Sequence, residues 1–230
     1  GEADLIICEL MSRLEGNQSL KGLKGVIYRD NGKIIKNPPS PTITNLDDLP
    51  FPDRSIFDIG SYTGLFCILT SRGCPYSCNF CSRPVTGKLF RGRSPKNVVD
   101  EIEFLLNTYP EYAVKQGRLF TILDEHFAVD KARVIGICDE IIKRNLNIRF
   151  ILPNGIHVAS ADLEMFKKMK EAGCEAIYFG VESGNDEILR IMKKSSSRVL
   201  IKRAVDLCHE VGIRAGGHFE IGWQGETVET

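Results

Sequence analysis

Short apolar runs alternate with longer amphipathic stretches from residue 56 to residue 230, and this rhythm limits the possible folds most strongly. Strands that alternate with helices form right-handed βαβ units around a parallel sheet, so we predict an α/β protein. A closed eight-stranded barrel needs about 250 residues, so the pattern leaves open an incomplete barrel and a doubly wound sheet. The predicted strands are 65–70, 119–123, 148–152, 176–181 and 213–221, and the predicted helices are 94–106, 130–144, 160–172, 185–193 and 197–211.

The first 55 residues are organised differently. Residues 3–14 carry apolar side chains at helical spacing and predict a helix that ends near Gly16. Asn31-Gly32 between two apolar runs predicts a β-hairpin, because both turn positions need a positive φ. Residues 37–54 hold five of the ten prolines and predict an extended linker. We therefore divide the chain into an N-terminal segment (1–36), a linker (37–55) and a core domain (56–230).

Charge and composition exclude several classes of protein. Thirty basic and thirty acidic side chains give a formal net charge of zero, so no global basic field attracts nucleic acid or an anionic membrane. No apolar run approaches the roughly 18 residues of a membrane span. Residues 1–4 lack the basic and apolar regions of a secretory signal. We expect a cytoplasmic protein, and the missing initiator Met suggests that the chain is a fragment.

Three of the eight cysteines, Cys74, Cys78 and Cys81, lie within eight positions. The other five are scattered, and we expect them to be small buried side chains. A structural zinc site needs four ligands, and the next candidates, His126 and Cys138, follow more than 40 residues later. Three thiolates on one short loop instead favour an iron–sulfur cubane with one open iron. Zinc remains the alternative.

The cysteine loop and four later motifs resemble the radical S-adenosylmethionine (radical SAM) superfamily. The loop has the pattern Cys-x-x-x-Cys-x-aromatic-Cys, with Phe80 as the aromatic residue, and it follows the first core strand. Two of the later motifs are Asp124-Glu125-His-Phe and Gly-Val-Glu182-Ser-Gly. In chain order the five motifs occupy residues 70–81, 91–95, 124–127, 180–184 and 219–227.

The resemblance implies a partial (βα)6 TIM-like barrel with a 4Fe–4S cluster on Cys74, Cys78 and Cys81. In that family the open iron chelates S-adenosylmethionine, and one electron from a donor such as flavodoxin or ferredoxin cleaves a carbon–sulfur bond. The cleavage yields methionine and a 5′-deoxyadenosyl radical that abstracts hydrogen from a substrate. The implied cofactor contacts are adenine at Phe80 and Ile221, the methionine amine at Asp124 and Glu125, and a further contact at Glu182.

The fifth predicted strand departs from the family pattern in an informative way. Gln224 stands where the family commonly has proline. His218 and Glu220 alternate with Phe219 and Ile221, so the two polar side chains share one face of the strand. We expect that face to point into the barrel and His218 and Glu220 to contact the small-molecule substrate. The alternative is a buried structural pair.

A run of cations surrounds the cysteines, and no acidic residue lies between Asp58 and Asp100. One hypothesis is that these cations offset the thiolates and the cofactor carboxylate. The alternative is a solvated basic face. The cations are Arg72, Arg83, Lys88, Arg91, Arg93 and Lys96.

The N-terminal segment and linker narrow the resemblance to one branch. A helix, a hairpin and the sequence Leu46-Asp-Asp-Leu-Pro50-Phe-Pro52 are similar to the end of the cobalamin-binding domain in cobalamin-dependent radical SAM enzymes. Cobalamin itself would be bound mainly outside this chain. The expected reaction is methylation of an unactivated carbon or a radical cyclisation or rearrangement. The alternatives are methylthiolation, another cobalamin-free radical reaction, and a non-catalytic zinc-binding module.

Overall fold

The computed structural model describes residues 2–58, 61, 66–82 and 87–228. The strands are β1 Ile27–Asp30, β2 Lys33–Lys36, β3 Phe66–Ile68, β4 Ser71–Arg72, β5 Arg91–Gly92, β6 Leu119–Ile122, β7 Arg149–Ile156, β8 Cys174–Glu182 and β9 Arg214–Phe219. The helices are α1 Ile7–Glu15, α2 Pro95–Thr108, α3 Pro110–Lys115, α4 Lys131–Lys143, α5 Leu163–Glu171, α6 Asp186–Ile191 and α7 Arg198–Val211. None of these helices is long and apolar enough to cross a membrane.

Five strands form one sheet in the order β3-β6-β7-β8-β9, and every neighbouring pair is parallel. The order follows the sequence, as expected when each strand is joined to the next by a helical crossover. Within the described residues β3 and β9 remain the two edges, so the sheet is open. The α/β prediction is confirmed, and the open sheet is the incomplete barrel that the resemblance implied.

One face of the sheet carries the core. Phe120 of β6, Phe150 of β7 and Phe179 of β8 are buried among the helices that follow the strands. Side chains on a strand alternate between faces, and Leu69 and Tyr178 of the opposite face remain 49% and 37% exposed. The helices therefore cover one side of the sheet, and the other side is the interior face of the incomplete barrel.

Short polar side chains begin the long helices as the sequence indicates. Ser94 accepts a hydrogen bond from the Asn97 N–H before α2, Asp130 accepts one from Arg133 before α4, and Ser197 caps α7. Helix α5 differs from the prediction that it begins at residue 160. A 3-10 turn, Val158–Ser160, comes first, and Asp162 is the residue that caps the helix.

Three further elements depart from the sequence prediction. The two-residue strands β4 and β5 form an antiparallel ribbon that closes the base of the cysteine loop. The short helix α3 begins at Pro110, and β7 continues through Pro153 to Ile156. The start of the first predicted core strand, Leu65, lies outside the described residues.

The N-terminal segment and the linker both pack on the core domain. Glu2 pairs with Arg91 (Oε2–Nη1 2.9 Å) and with Arg72 (Oε1–Nη1 3.1 Å). In the predicted linker, Ile43 and Leu46 are buried, so part of this segment packs into the fold. The hairpin prediction is confirmed, with φ values of 44° at Asn31 and 80° at Gly32. The domain boundaries near residues 36 and 55 stay predictions.

Candidate active site

The three clustered cysteines lie on the loop between β4 and β5, beyond the carboxyl end of β3. Parallel α/β folds place their active sites at this edge of the sheet. Cys78 is buried, Cys74 is half-buried and Cys81 is exposed. Burial raises the pKa of Cys74, and negative charge on Cys78, Cys81 and Glu125 raises it further. The thiols therefore interact electrostatically across the loop.

The donor set of this loop suits a cluster better than a single ion. Within the described residues, no group of three or more His, Cys, Asp and Glu side chains converges closely enough to hold one metal ion. Mononuclear zinc needs four ligands around one point. A four-iron cubane instead binds each thiolate at a different iron, so three thiolates spread over one loop fit it.

Several contacts fix the cysteine loop at its two ends. The Gly73 N–H donates to Glu125 Oε2 at 2.5 Å. Gly73 has φ +87°, and a Cβ there would approach the Leu89 carbonyl carbon to 2.8 Å, so only glycine fits. After Cys78, Asn79 N and Asn79 Nδ2 donate to two carbonyls at the end of α6, at 2.9 and 2.8 Å. The loop is tied to strand ends and to α6.

The two acids after β6 have different surroundings. Asp124 is buried, and its carboxylate accepts hydrogen bonds from Thr70 N, Thr70 Oγ1 and Ser71 Oγ at 2.5 to 2.6 Å. Arg133 Nη2 lies 3.6 Å from the same carboxylate. Complete burial raises the pKa of Asp124, although Arg133 and the hydroxyl donors oppose that shift. Asp124 therefore joins the ends of β3 and β6, whereas Glu125 is exposed beside the cysteines.

Glu182 forms a buried ion pair that also reaches the cysteine loop. Its Oε1 lies 2.7 Å from Lys194 Nζ, and both side chains are 9% exposed. The Lys194 ammonium sits 5.5 Å from the centre of the Phe80 ring, a cation–π contact. Glu182, Lys193 and Ser195 have φ values of 65°, 54° and 53°. Left-handed backbone at residues other than glycine is uncommon and often marks functional sites.

A stack of three rings holds the middle of the cysteine loop. Tyr76 stacks on His157 with ring centres 4.0 Å apart and on His126 at 5.5 Å. His157 Nε2 donates to the Lys194 carbonyl at 2.6 Å, and Ala159 N donates to His157 Nδ1. Burial lowers the pKa of His126 to about 4. His126, considered from the sequence as a further metal ligand, therefore lies in this stack.

The segment after β9 brings a second aromatic ring to Phe80. Trp223 meets Phe80 edge-on, with ring centres 6.0 Å apart. Glu226 Oε2 accepts hydrogen bonds from Gly222 N and Trp223 N and so closes the turn that contains Gln224. Ile221, the second predicted adenine contact, is 96% exposed, so the described residues do not build an apolar wall around it.

His218 lies on the interior face of β9 beside Tyr178, and Glu220 comes just after the strand ends at Phe219. His218 Nε2 donates to the Pro153 carbonyl at 2.6 Å, and its ring stacks on Tyr178. The Glu220 N–H donates to the Glu182 carbonyl at 2.9 Å. Burial raises the pKa of Glu220, and the charge of Glu182 raises it further. Phe219, which alternates with His218 and Glu220, is 65% exposed on the edge strand.

Most of the cation run is engaged away from the thiols. Arg93 pairs with the buried Glu101 at 2.5 Å, and Lys96 pairs with Asp100. Arg72 and Arg91 pair with acids of the N-terminal segment. Lys88 Nζ donates to Ser77 Oγ, inside the cysteine loop, and Arg83 lies outside the described residues. The hypothesis that the run as a whole offsets the thiolates is therefore wrong for the arginines that the structure describes.

Three residues of this site were missed by sequence reasoning. Lys194, Tyr76 and His157 come from three different loops, and they meet only in the folded chain. Lys194 is buried, and its place in a polar Lys-Lys-Ser-Ser-Ser run gave no sign of that burial. Tyr76 lies inside the cysteine motif, and its position between two predicted ligands is the sequence feature that could have pointed to a role in the site.

Known proteins share both the sequence and the fold of this chain. Residues 68–230 match the model of the radical SAM superfamily. An uncharacterized methyltransferase of Pyrococcus horikoshii, PH0819, is 34% identical over the whole chain, which covers 49% of that protein. Anaerobic magnesium-protoporphyrin IX monomethyl ester cyclase of Cereibacter sphaeroides is 29% identical, again over the whole chain and over 38% of that protein.

A solved structure has the same fold. The cobalamin-dependent S-adenosylmethionine radical enzyme OxsB, with aqua-cobalamin and S-adenosylmethionine bound, superposes with a TM-score of 0.84 at 24% identity. The match covers 95% of this chain and 32% of that one. The chain thus spans half or less of the length of each of these relatives. Since the family model matches well over half of the 230 residues, the chain belongs to the radical SAM superfamily.

Proposed function

We propose that this chain is the catalytic core of a longer enzyme that reductively cleaves S-adenosylmethionine and uses the resulting radical chemistry for methylation or for radical cyclisation or rearrangement. The observation that carries the proposal is the position of the cysteine loop. Its three thiols lie at the carboxyl edge of the sheet, between Glu125 on one side and the Glu182–Lys194 pair on the other. A 4Fe–4S cluster on Cys74, Cys78 and Cys81 would supply the single electron for the cleavage.

The side chains around the loop suit the parts of S-adenosylmethionine. Glu125 provides an exposed carboxylate for the methionine ammonium, as its place next to the Gly73 N–H allows. Phe80 and Trp223 provide an apolar wall of the kind that adenine needs. Glu182 is already paired with Lys194, so the pair presents both charges to a zwitterionic cofactor. Asp124 would act by holding the turn, because its oxygens are used within the protein.

The proposal includes cobalamin, bound mainly by a domain outside this chain. OxsB is described as cobalamin-dependent, and relatives named as methyltransferase and cyclase share the whole length of the chain. Exposed apolar side chains on the N-terminal segment support a neighbouring domain, since such a patch marks an interface. They are Leu5, Ile7, Met11, Leu14, Ile27 and Ile34, each at least 42% exposed. Methylthiolation and other cobalamin-free radical reactions remain the alternatives within the family.

His218 and Glu220 are proposed to contact the substrate. The support is that His218 stacks on Tyr178 of the interior face and that the Glu220 backbone is hydrogen-bonded to that of Glu182. Glu220→Gln in the full-length enzyme should abolish product formation, while cleavage of S-adenosylmethionine persists. A fully active Glu220→Gln enzyme would remove Glu220 from that role and leave the cofactor proposal intact.

The electron donor and the compartment belong to the same proposal. A small redox protein such as flavodoxin or ferredoxin would supply electrons in a reducing cytoplasm. None of the eight cysteines, all of which the structure describes, is in a disulfide. That pattern is typical of chains that work in a reducing compartment.

Anaerobic reconstitution with iron and sulfide tests the cluster directly. The reconstituted protein should be brown and should absorb broadly at about 400 nm, as thiolate-bound iron–sulfur clusters do. It should contain at most about four irons per chain, as one 4Fe–4S cluster requires. Cys78→Ala should lose this absorbance, whereas Cys208→Ala, a matched change of a buried cysteine in α7, should keep it. A colourless protein with one stoichiometric zinc would establish the zinc-binding alternative instead.

A further inference from the structure

The middle of the cysteine loop has a side-chain contact that the cofactor motif does not explain. The first two cysteines are separated by Pro75, Tyr76 and Ser77. Glu125 holds the loop before Cys74, and Asn79 holds it after Cys78. Tyr76 lies between these two anchors, and its ring stacks on His157, just after the end of β7.

The contact between the rings is close and nearly parallel. The Tyr76 and His157 ring planes differ by 3° with centres 4.0 Å apart, and the His126 plane differs from that of Tyr76 by 9°. Such stacks contribute beyond the area that they bury. His157 and His126 are 5% and 2% exposed, so the surface that receives Tyr76 is itself buried.

Hydrogen bonds fix the receiving ring in one orientation. Because a carbonyl oxygen only accepts, the 2.6 Å contact to the Lys194 carbonyl places the proton of His157 on Nε2. His157 Nδ1 then accepts from the Ala159 N–H at 3.1 Å. Both ring nitrogens are thus used by the neutral tautomer, and the ring cannot flip without losing both bonds.

The same tyrosine also lies close to a proposed cluster ligand. Burial raises the pKa of the Cys74 thiol, and the nearby backbone N–H of Tyr76 opposes that rise. Hydrogen bonds to coordinating sulfurs tune the reduction potential and stability of iron–sulfur clusters. Holding the ring on His157 therefore also keeps the Tyr76 N–H near Cys74.

We infer that Tyr76 and His157 are positioning residues that hold the cysteine loop in its cluster-binding conformation. Tyr76 anchors the loop between its first two ligands, and His157 offers a ring whose orientation is set by the Lys194 carbonyl. The inference rests on the proposed cluster, and it concerns how the chain keeps the cluster rather than which reaction follows.

The rate of iron loss tests this inference. Wild-type protein and Tyr76→Leu are reconstituted anaerobically, and iron release to a chelator is followed together with the electron paramagnetic resonance spectrum of the reduced protein. Losing one aromatic stack should speed iron release by roughly two- to twelve-fold and broaden the spectrum, because the first ligand is less well fixed. Tyr76→Phe, which keeps the ring, should behave as wild type.

Two further variants separate the stack from a general loosening of the fold. His157→Gln keeps an amide donor for the Lys194 carbonyl but removes the ring, so it should release iron as fast as Tyr76→Leu. Tyr178→Leu removes a different ring stack, the one on His218 of β9, and should retain iron like wild type. Melting temperatures show whether each variant is folded.

Each outcome bears on the inference. Wild-type rates in both Tyr76→Leu and His157→Gln would overturn it. Equal acceleration by Tyr76→Phe would assign the effect to the hydroxyl, and equal acceleration by Tyr178→Leu would assign it to overall stability, so either result also overturns it. If the wild-type protein holds no iron under these conditions, the proposed function fails first, and that failure is visible before any variant is compared.

Discussion

At the scale of single residues, a substitution of Asp124 distinguishes a structural role from a cofactor contact. Its buried carboxylate accepts three hydrogen bonds from Thr70 and Ser71 and pairs with Arg133. Asp124→Asn should lower the free energy of unfolding by about 3 kcal/mol, because it leaves a buried guanidinium without its counter-charge. Urea denaturation of the chain measures this. Unchanged stability with weaker S-adenosylmethionine binding would instead make Asp124 a cofactor contact.

Because of His126, the free energy of unfolding should depend on pH in a direction that can be predicted. Burial lowers its pKa to about 4 from an ordinary value of 6.5, so the unfolded chain binds a proton between these values that the folded chain does not. Stability is therefore complete above the unfolded pKa and falls as the pH is lowered towards 4, by up to about 3 kcal/mol. Urea denaturation at pH 7 and pH 5 should show the loss.

A variant without this imidazole provides the control. His126→Phe keeps an aromatic ring beside Tyr76 and removes one titrating group, so its stability should change less between pH 7 and pH 5 than that of the wild type. Part of the change should remain, because burial also lowers the pKa of His157. An identical pH dependence in both proteins would show that His126 is not the group responsible.

At the scale of elements, the end of α7 offers a clean test of a predicted cap. Gly212 follows the helix with φ +73°, and its N–H donates to the Cys208 and His209 carbonyls. Gly212→Ala should lower the free energy of unfolding by about 1 kcal/mol, since a side chain strains left-handed backbone. Gly184 has an ordinary φ, and no other atom lies within 4 Å of the place that a Cβ would take, so Gly184→Ala should change the stability little. Equal effects would contradict this assignment.

The long elements were predictable because local signals agree with tertiary packing. Ser94 before α2, Asp130 before α4 and Gly212 after α7 mark helix ends in the sequence and in the structure. The β4–β5 ribbon was not predictable, because two residues per strand carry no periodicity. Strand β7 was predicted too short, since Pro153 and Gly155 are ordinarily strand breakers, and the structure accommodates them in a register shift.

At the scale of the whole molecule, charge pairs join the N-terminal segment to the core. Glu2 is almost buried between Arg72 and Arg91, which flank the cysteine loop on either side. Glu2→Gln should lower the free energy of unfolding by about 3 kcal/mol, because it removes a largely buried carboxylate that pairs with two arginines. Glu9→Gln, which breaks an exposed pair with Arg13, should cost less than about 1 kcal/mol. Chemical denaturation of both variants decides, and equal losses would contradict the assignment.

The site was predictable only in part, and the reason is physical. The cysteines form a dense local motif, so three residues at fixed spacing pointed to their chemistry without a fold. Lys194 and His157 are 37 residues apart, and the Lys194 carbonyl holds His157, whose ring face reaches Tyr76 of the loop. Such contacts leave no periodic or compositional trace, because any side chain can lie beside a carbonyl. The position of β9 at the edge of the sheet likewise follows only from the strand order in the folded chain.

Formation of 5′-deoxyadenosine shows directly whether this chain cleaves S-adenosylmethionine. Anaerobically reconstituted protein is mixed with S-adenosylmethionine and dithionite, and the products are quantified by chromatography and mass spectrometry. We expect 5′-deoxyadenosine and methionine in equal amounts from the wild type and from Cys208→Ala, and neither from Cys78→Ala. A wild-type protein that holds its full complement of iron and yields neither product would contradict this expectation.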